Sequence, residues 1–193
     1  MVEALFMAWM IRAVVSREAL RFEAVHEQEG DLSCGLAAVA SLADLYRGLS
    51  CREAELRAAL APEEGREERA TDLGELAALL ADLGMSVRAV RLDSASAEEA
   101  LRRGYAPLLV HLRDDGGHFA LLLALNRDVA VLADPARGLR TLSAREFADS
   151  FTGGALAAIL PGVGVDGKAL ESRVARALGA RRFLAALAAG ALR

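Results

Sequence analysis

Gln28-Glu29-Gly30-Asp31-Leu32-Ser33-Cys34-Gly35-Leu36-Ala37-Ala38 decides the fold, because a polar, glycine-containing loop gives way there to an apolar run with helical spacing. The change predicts a helix that begins at Cys34 and stops at Gly48. Ser33 or Asp31 is expected to be its N-cap. A thiol in the first helical turn lies near unpaired backbone N–H groups and the positive end of the helix dipole, which favour the thiolate. The local sequence leaves two interpretations of this cysteine open, a nucleophile and a small buried residue at a helix start.

Length and composition indicate one globular domain with a sizeable core. The chain has 193 residues, of which 54% are hydrophobic and 26% are charged. A net charge of -4 and a pI near 5.5 exclude nucleic acid as the main partner, since no basic stripe is available to displace counterions. We expect an apolar lead-in over residues 1–15, a domain over residues 16–160 and a helical tail over residues 161–193.

The cysteine and histidine content predicts no metal site and no cofactor. Two cysteines in a chain of this length permit a disulfide by count but do not make a disulfide framework. If Cys34 is catalytic, Cys51 is expected to be a spare buried thiol. The sequence has no CxxC or HExxH pattern, so a zinc site would need scattered ligands. Those ligands would come from the two cysteines and from His26, His111 and His118.

The two ends of the chain leave alternatives open. An apolar run from Ala4 to Ile11 is either an atypical export remnant or a segment that packs on the domain, and it slightly favours an extracytoplasmic location, periplasmic or membrane-associated, over a cytoplasmic one. No run approaches the roughly 20 apolar residues that cross a bilayer. The amphipathic tail over residues 161–193 is expected to contact the core, a partner such as secretion machinery, or a membrane surface.

Helices are predicted to dominate the first hundred residues. Beyond the helix at Cys34, capping signals start three more, at Ser50-Cys51-Arg52-Glu53, at Thr71 and at Ser96-Ala97-Glu98-Glu99. Alternating apolar residues from Met85 to Leu92 predict one strand among them.

Strands are predicted to dominate after Pro107. Short apolar runs separated by turn residues indicate antiparallel hairpins. The predicted strands are 108–112, 119–125, 129–133, 139–142 and 155–160. Ser143-Ala144-Arg145-Glu146 predicts one short helix before the last of them. Helices first and a meander second predict an α+β fold, with an N-terminal helical lobe packed on a C-terminal antiparallel β-sheet.

A cysteine nucleophile needs a base, a group that orients the base and a donor for the oxyanion, and the sequence offers one candidate for each. His118 begins a strand and Asp134 ends a later one, so the two are expected to lie side by side at one end of the sheet. Gln28, six residues before Cys34, is placed to donate to an oxyanion over the sulfur. Gly35 has no Cβ and is expected to leave room for a substrate carbonyl. Each feature also has an ordinary explanation as a turn, core or solvated residue.

These residues resemble the double-glycine, or bacteriocin-processing, cysteine peptidases of the papain-like superfamily. The resemblance rests on Gln28 with Cys34 in Asp31-Leu32-Ser33-Cys34-Gly35-Leu36-Ala37-Ala38, on Gly117-His118-Phe119, and on Leu132-Ala133-Asp134-Pro135-Ala136-Arg137-Gly138. His118 follows Cys34 by 84 positions and Asp134 follows His118 by 16, intervals that suit this family. They are too short for papain itself, whose histidine lies roughly 130 to 150 residues on. The match runs from about residue 16 to residue 160.

The resemblance implies a papain-like fold and a cysteine endopeptidase. It implies that Cys34 is the nucleophile, His118 the general base and acid, Asp134 the orienting group and Gln28 the oxyanion donor. Ser33 stands where many members carry Asp, and the sequence has no transporter or ATPase domain, so it resembles the stand-alone members. The substrate would be a peptide or protein, with a small-residue or Gly-Gly motif and a link to secretion. The alternatives are a peptide-binding, chaperone-like domain without turnover and an acyltransferase of the same fold.

Overall fold

The computed structural model describes residues 21–46, 49–60 and 70–188. It confirms the predicted α+β architecture, in which helices pack on an antiparallel sheet. The helices are α1 (Cys34–Ala43), α2 (Glu53–Ala59), α3 (Leu73–Asp82), α4 (Ser94–Arg102), α5 (Ala144–Ser150) and α6 (Gly167–Ala188). The strands are β1 (Ser86–Arg91), β2 (Leu108–Leu112), β3 (His118–Leu125), β4 (Val129–Asp134), β5 (Gly138–Ser143) and β6 (Phe151–Ile159). The lead-in predicted over residues 1–15 lies outside the described residues.

The sheet has the strand order β1-β6-β2-β3-β4-β5, and every neighbouring pair is antiparallel. Strands β2 to β5 form a meander, whereas β6 returns after α5 to lie between β1 and β2. Because β3 and β4 are antiparallel neighbours, β3 begins at the edge of the sheet where β4 ends. This register brings His118, the first residue of β3, next to Asp134, the last residue of β4.

Helix α1 is the centre of the larger hydrophobic core. All ten of its residues are buried. Four consecutive small residues, 37–40, let it pack closely against β3 on one side and against α2 and α3 on the other. The N-terminus of α1 therefore points Cys34 at the edge of the sheet where β3 begins.

Two helix ends differ from the predicted ones. Helix α1 ends at Ala43, with Asp44 as its C-cap, and not at Gly48, which lies outside the described residues. Helix α2 begins at Glu53, where Arg52 and Glu55 form the capping pair, and not at Ser50.

Acidic caps also set the starts of the next two helices. The Asp72 carboxylate accepts from the Glu75 backbone N–H at 2.9 Å, so α3 begins one residue after it. The Asp93 carboxylate accepts from the Ser96 N–H at 2.7 Å, so α4 begins at Ser94 and not at the predicted Ser96.

Strand β6 begins at Phe151, four residues earlier than predicted. The predicted cap of α5 is confirmed, since the Ser143 hydroxyl accepts from the N–H of residue 146 at 3.1 Å.

The first half of α6 packs on the domain. Leu170, Val174 and Leu178 lie against the core around α1. Arg173, only 8% exposed, donates to the carbonyl of Ser41 in α1 at 3.2 Å. Further along the helix Leu184 is 54% exposed. Within the part of the chain that the structure describes, no helix is both long and apolar enough to cross a membrane.

Candidate active site

Cys34, His118 and Asp134 lie together at the end of the sheet where β3 begins and β4 ends. The His118 Nε2 atom is 2.8 Å from Asp134 Oδ1, and both side chains are buried. Since Nε2 is engaged by the carboxylate, Nδ1 is left for the Cys34 thiol, with which His118 forms a hydrogen bond. Three of the four predicted site residues are therefore brought into one hydrogen-bonded series.

Asp134 is fixed from both of its oxygens. Besides His118, its Oδ1 accepts from the backbone N–H groups of Ala136 at 2.9 Å and Arg137 at 3.2 Å. Arg140 Nε lies 2.7 Å from Oδ2, at an angle that makes this a contact between charges and not an aligned hydrogen bond. Arg140 also reaches Asp114 Oδ2, at 3.3 Å from its Nη2. The carboxylate is thus held ionised and in one orientation against the imidazole.

The ionisation of the three groups follows from this geometry. Burial raises the pKa of the Cys34 thiol, but the hydrogen bond with His118 and the backbone N–H groups of Phe119 and Gly35 outweigh it, and the pKa lies below its ordinary value. Burial lowers the pKa of His118, yet the partners Asp134 and Cys34 bring it to about 9. Burial likewise raises the pKa of Asp134, but the hydrogen bond with His118 and the charges of His118 and Arg140 bring it down to about 2. The lowered pKa of the thiol and the raised pKa of the imidazole both favour the thiolate–imidazolium pair over the neutral pair.

Ser33 stands at the N-cap position of α1 but does not cap it. Its hydroxyl donates to the Gly30 carbonyl at 2.9 Å and accepts from the Gly30 N–H at 3.0 Å, so it tightens the preceding loop. The N-cap expectation is wrong for its side chain, because the loop competes for the same hydroxyl. The first backbone N–H groups of α1 consequently have no side-chain cap. They lie at the N-terminus of the helix, where Cys34 also stands.

Gln28 is held between the loop before Cys34 and the turn after Asp134. Its backbone N–H donates to the Pro135 carbonyl at 3.0 Å, and its side-chain Nε2 donates to the Gly30 carbonyl at 2.9 Å. An amide nitrogen carries two hydrogens, so one remains after this bond. The structure shows no contact between Gln28 and the sulfur, and its role as oxyanion donor stays a prediction.

Gly35 serves packing and not substrate access, which corrects the prediction. A Cβ at this position would lie 2.3 Å from the Thr71 hydroxyl oxygen and 3.0 Å from a methyl of Leu76. The missing side chain therefore lets the start of α1 approach the start of α3.

Replacing Gly35 with alanine is expected to destabilise the domain by about 1 to 3 kcal/mol, the usual cost of overpacking a core. Urea unfolding followed by circular dichroism measures the loss. Gly164→Ala is the matched control, because a Cβ there meets nothing within 4 Å. Adding Thr71→Ala to the Gly35→Ala chain should recover part of the stability, since the hydroxyl that it removes is buried without a partner. Equal stabilities for the two single glycine variants would contradict this account.

Both cysteines are free and buried, so no disulfide joins them. Burial and the nearby Asp44 and Glu55 carboxylates raise the pKa of Cys51 to about 11. The two thiols thus differ in environment, as the interpretation of Cys51 as a spare thiol predicts. Among the described residues, no group of three histidine, cysteine or acidic side chains is arranged to hold a metal ion.

Arg140 and His111 are site residues that the sequence did not single out. Arg140 contacts Asp134 only because β5 pairs with β4, and an arginine in an arginine-rich chain gives no signal of that. His111 faces Phe119 across the β2–β3 pair, with ring centroids 4.8 Å apart. The one feature of the sequence that could have pointed to His111 is its place inside an otherwise apolar strand.

Comparisons with known proteins agree with this geometry. The model of the Peptidase C39 family matches residues 23–159. The colicin V secretion/processing ATP-binding protein CvaB of Escherichia coli is 31% identical over 154 residues, which cover 80% of this chain and 20% of CvaB. The chain therefore spans only a fifth of that relative. An uncharacterized protein of Methanothermobacter marburgensis is 33% identical over 134 residues, covering 69% of this chain and 87% of its own length.

Two solved structures share the fold. One is a double glycine motif protease from an AMS/PCAT transporter in complex with the leader peptide, with a TM-score of 0.59, 22% identity and coverage of 69% of this chain and 89% of that one. The other is the peptidase domain of Streptococcus ComA, a bi-functional ABC transporter of a quorum sensing pathway, with a TM-score of 0.59 and 18% identity. It covers 69% of this chain and 96% of that one. The predicted papain-like peptidase fold is thereby confirmed.

Proposed function

Because this chain belongs to the peptidase C39 family, whose peptidase domains are cysteine peptidases, we propose that it hydrolyses peptide bonds through Cys34, His118 and Asp134. One observation carries the proposal. The buried His118–Asp134 hydrogen bond of 2.8 Å leaves the other imidazole nitrogen to Cys34, and the pKa of the thiol is lowered although burial alone would raise it. A thiol that only fills space in a core has no reason to be ionised.

The first half of the proposed reaction acylates the enzyme. The Cys34 thiolate attacks the carbonyl carbon of the scissile bond, and the carbonyl oxygen becomes an oxyanion. The Gln28 amide and the backbone N–H of Cys34 donate to that oxygen. The His118 imidazolium gives its proton to the leaving amine as the C–N bond breaks, which leaves a thioester on the sulfur.

The second half returns the free enzyme. The neutral imidazole takes a proton from water, and the resulting hydroxide attacks the thioester carbonyl. The thiolate leaves as the carboxylic acid forms, and that acid loses its remaining proton to the solvent. The first proton of the water stays on His118, so the initial ion pair is restored. Asp134 holds the ring in one orientation throughout and favours its charged form.

The substrate that we propose is an extended peptide with small residues at the cleaved bond, of the leader or secretion-linked kind. Support comes from the relative CvaB, which by its name acts in colicin V secretion and processing, and from the neighbouring protease, which was solved with a leader peptide. A peptide-binding domain without turnover is the rival, and it gives no reason for an ionised Cys34.

The test is the rate of alkylation of Cys34 by iodoacetamide between about pH 4 and pH 9, resolved by site with mass spectrometry. Since the pKa of the Cys34 thiol is lowered, we expect its alkylation rate to rise at a lower pH than that of an ordinary thiol, whose unperturbed pKa is about 8.5. Cys51, with a pKa of about 11, is the internal control and should stay slow across the range. Alkylation of Cys34 that rises only near pH 8.5 would overturn the nucleophile and favour the binding domain.

A further inference from the structure

Glu53, the first residue of α2, carries a buried carboxylate that the proposed reaction does not use. The residue is only 4% exposed. Its Oε2 accepts from the backbone N–H of Glu29 at 3.0 Å, and its Oε1 accepts from Arg57 Nη2 at 2.6 Å. A buried carboxylate costs stability unless hydrogen bonds and an opposite charge compensate it, and these two donors supply both. Glu53 therefore joins α2 to the loop that leads into α1.

The carboxylate of Glu53 is not needed as the cap of α2. That helix is capped by Glu55, whose Oε2 accepts from the Arg52 N–H at 3.0 Å. Glu55 is exposed, so a glutamate that serves only the helix can stay in water. The burial of Glu53 follows instead from its bond to the loop.

The N–H of Glu29 is the middle one of three consecutive N–H groups that anchor this loop. The N–H of Gln28 before it donates to the Pro135 carbonyl at 3.0 Å. The N–H of Gly30 after it donates to the Ser33 hydroxyl at 3.0 Å. The first acceptor lies in the turn after the catalytic carboxylate, and the second lies next to the nucleophile. The carboxylate on α2 is the anchor that comes from outside the site.

Hydrogen bonds carry most of the order of the loop. Of residues 28 to 32, all of which the structure describes, none is buried. A Cβ on Gly30 would meet only the Ser33 hydroxyl, at 3.9 Å. The Gln28 side chain donates to the Gly30 carbonyl at 2.9 Å, so its position depends on the backbone of the residue between them. That residue is Glu29, and loss of its bond to α2 would let the backbone shift.

We infer that Glu53 is a positioning residue for the oxyanion hole. Its carboxylate fixes the Glu29 N–H and so holds the Gln28 amide where it donates to the oxyanion. The inference rests on the proposed function, in which Gln28 is the oxyanion donor, and adds a residue that acts through that side chain. A small shift of the loop is enough to matter, because a donor stabilises the oxyanion only from the distance and direction of a hydrogen bond.

The experiment compares two small reagents that react with the same sulfur. With iodoacetamide the thiolate displaces iodide at a saturated carbon, and no oxyanion forms. With 4-nitrophenyl acetate the thiolate attacks the ester carbonyl carbon, and the carbonyl oxygen becomes an oxyanion. The ester C–O bond then breaks, 4-nitrophenolate leaves with the electron pair, and an acetyl thioester stays on Cys34. The rate that Cys34→Ala still shows with each reagent is subtracted.

Two substitutions of Glu53 separate its hydrogen bond from its charge. Glu53→Met fills the buried space with a side chain of similar length and removes both acceptor oxygens. Glu53→Gln keeps an oxygen for the Glu29 N–H and loses the charge. Neither variant isolates a charge in the core, because the Arg57 side chain is 43% exposed to water. Glu55→Ala is the matched control, since it removes an exposed carboxylate from the same helix.

We expect Glu53→Met to lower the acylation rate with 4-nitrophenyl acetate about three- to thirtyfold, a part of what removal of a whole oxyanion donor costs. Its alkylation rate with iodoacetamide should stay within about twofold of wild type. The groups that lower the pKa of Cys34 are His118 and the backbone N–H groups of Phe119 and Gly35, none of which lies in the loop. Glu53→Gln should recover most of the acylation rate, and the control should change neither rate.

Gln28→Ala shows whether the effect passes through the amide. In that background Glu53→Met should lower acylation no further, since the donor that it positions is absent. A full effect in that background would overturn the inference, as would an equal loss with both reagents or no loss of acylation in Glu53→Met. Gln28→Ala that acylates as fast as wild type would overturn the oxyanion role and the inference with it, but not the nucleophile. Wild-type Cys34 with the alkylation profile of an ordinary thiol would instead overturn the proposed function.

Discussion

Cys34 is expected to lose most of its reactivity at about pH 6 when His118 is replaced with alanine. The imidazole supplies the largest effects that lower the pKa of this thiol, so only its burial, which raises the pKa, and the backbone donors remain. A thiol with a pKa near 9 is ionised to about one part in a thousand at this pH. A more basic thiolate is intrinsically more nucleophilic, which offsets part of that fall. The net loss in iodoacetamide alkylation should be about ten- to a hundredfold.

The rate of peptide cleavage should fall further than the rate of alkylation in His118→Ala. The leaving amine needs the proton that the imidazolium carries, and loss of a general acid costs about a hundred- to ten-thousandfold. A fluorogenic peptide ending in Leu-Gly-Gly measures this turnover, and stopped-flow alkylation measures the first effect. His26→Ala is the matched control, because that histidine is half-exposed and pairs with Asp44. Fast alkylation that survives in His118→Ala would mean that the α1 backbone alone holds the thiolate.

The proximity of Cys34, His118 and Asp134 was predictable because each of them stands at a junction that the sequence marks. Cys34 follows a loop that turns into an apolar helix, and Asp134 precedes a proline in a turn. His118 follows two glycines. The pairing of β3 with β4, which the hairpin pattern already implied, brings His118 next to Asp134, and the packing of α1 on β3 adds Cys34. The position of Gln28 relative to the sulfur could not be predicted from the sequence, since it depends on how the loop before Cys34 folds on itself.

Features that depend on contacts far apart in sequence were not predictable. Three contacts join segments that local patterns treat separately. They are the insertion of β6 between β1 and β2, the contact of Arg140 with Asp134 and the docking of Arg173 on α1. Gly35 illustrates the same limit, because a glycine beside a nucleophile suggests space for substrate. The space that its Cβ would take is in fact filled by Thr71, just before α3, and by Leu76 within α3. The local sequence indicates that a small residue is required at this position, but not which residue packs against it in the fold.

Asp134→Asn is expected to lower peptide turnover by about a hundred- to ten-thousandfold while leaving the shape of the site intact. The amide oxygen can still accept from the backbone N–H groups of Ala136 and Arg137. Without the carboxylate, however, the burial that lowers the pKa of His118 is opposed only by Cys34. The imidazolium then deprotonates at a lower pH, and the thiolate loses its counter-ion. Alkylation of Cys34 as a function of pH should show this as a rise shifted to higher pH than in the wild type.

The same variant separates catalysis from stability. In the wild type, His118 has a pKa of about 9 against an ordinary 6.5, so its contribution to stability is complete below about pH 6.5 and is lost as the pH rises through about 9. Urea unfolding should lose this pH dependence in Asp134→Asn and should also show a general loss of about 1 to 3 kcal/mol, because the buried Nε of Arg140 is left beside a neutral amide while its Nη2 keeps the Asp114 carboxylate. Replacing Arg140 with methionine as well removes that unsatisfied donor, so stability should partly return while turnover does not. Recovery of both in the double variant would show that Asp134 acts on the fold alone, and recovery of neither would show that Arg140 does more than neutralise the carboxylate.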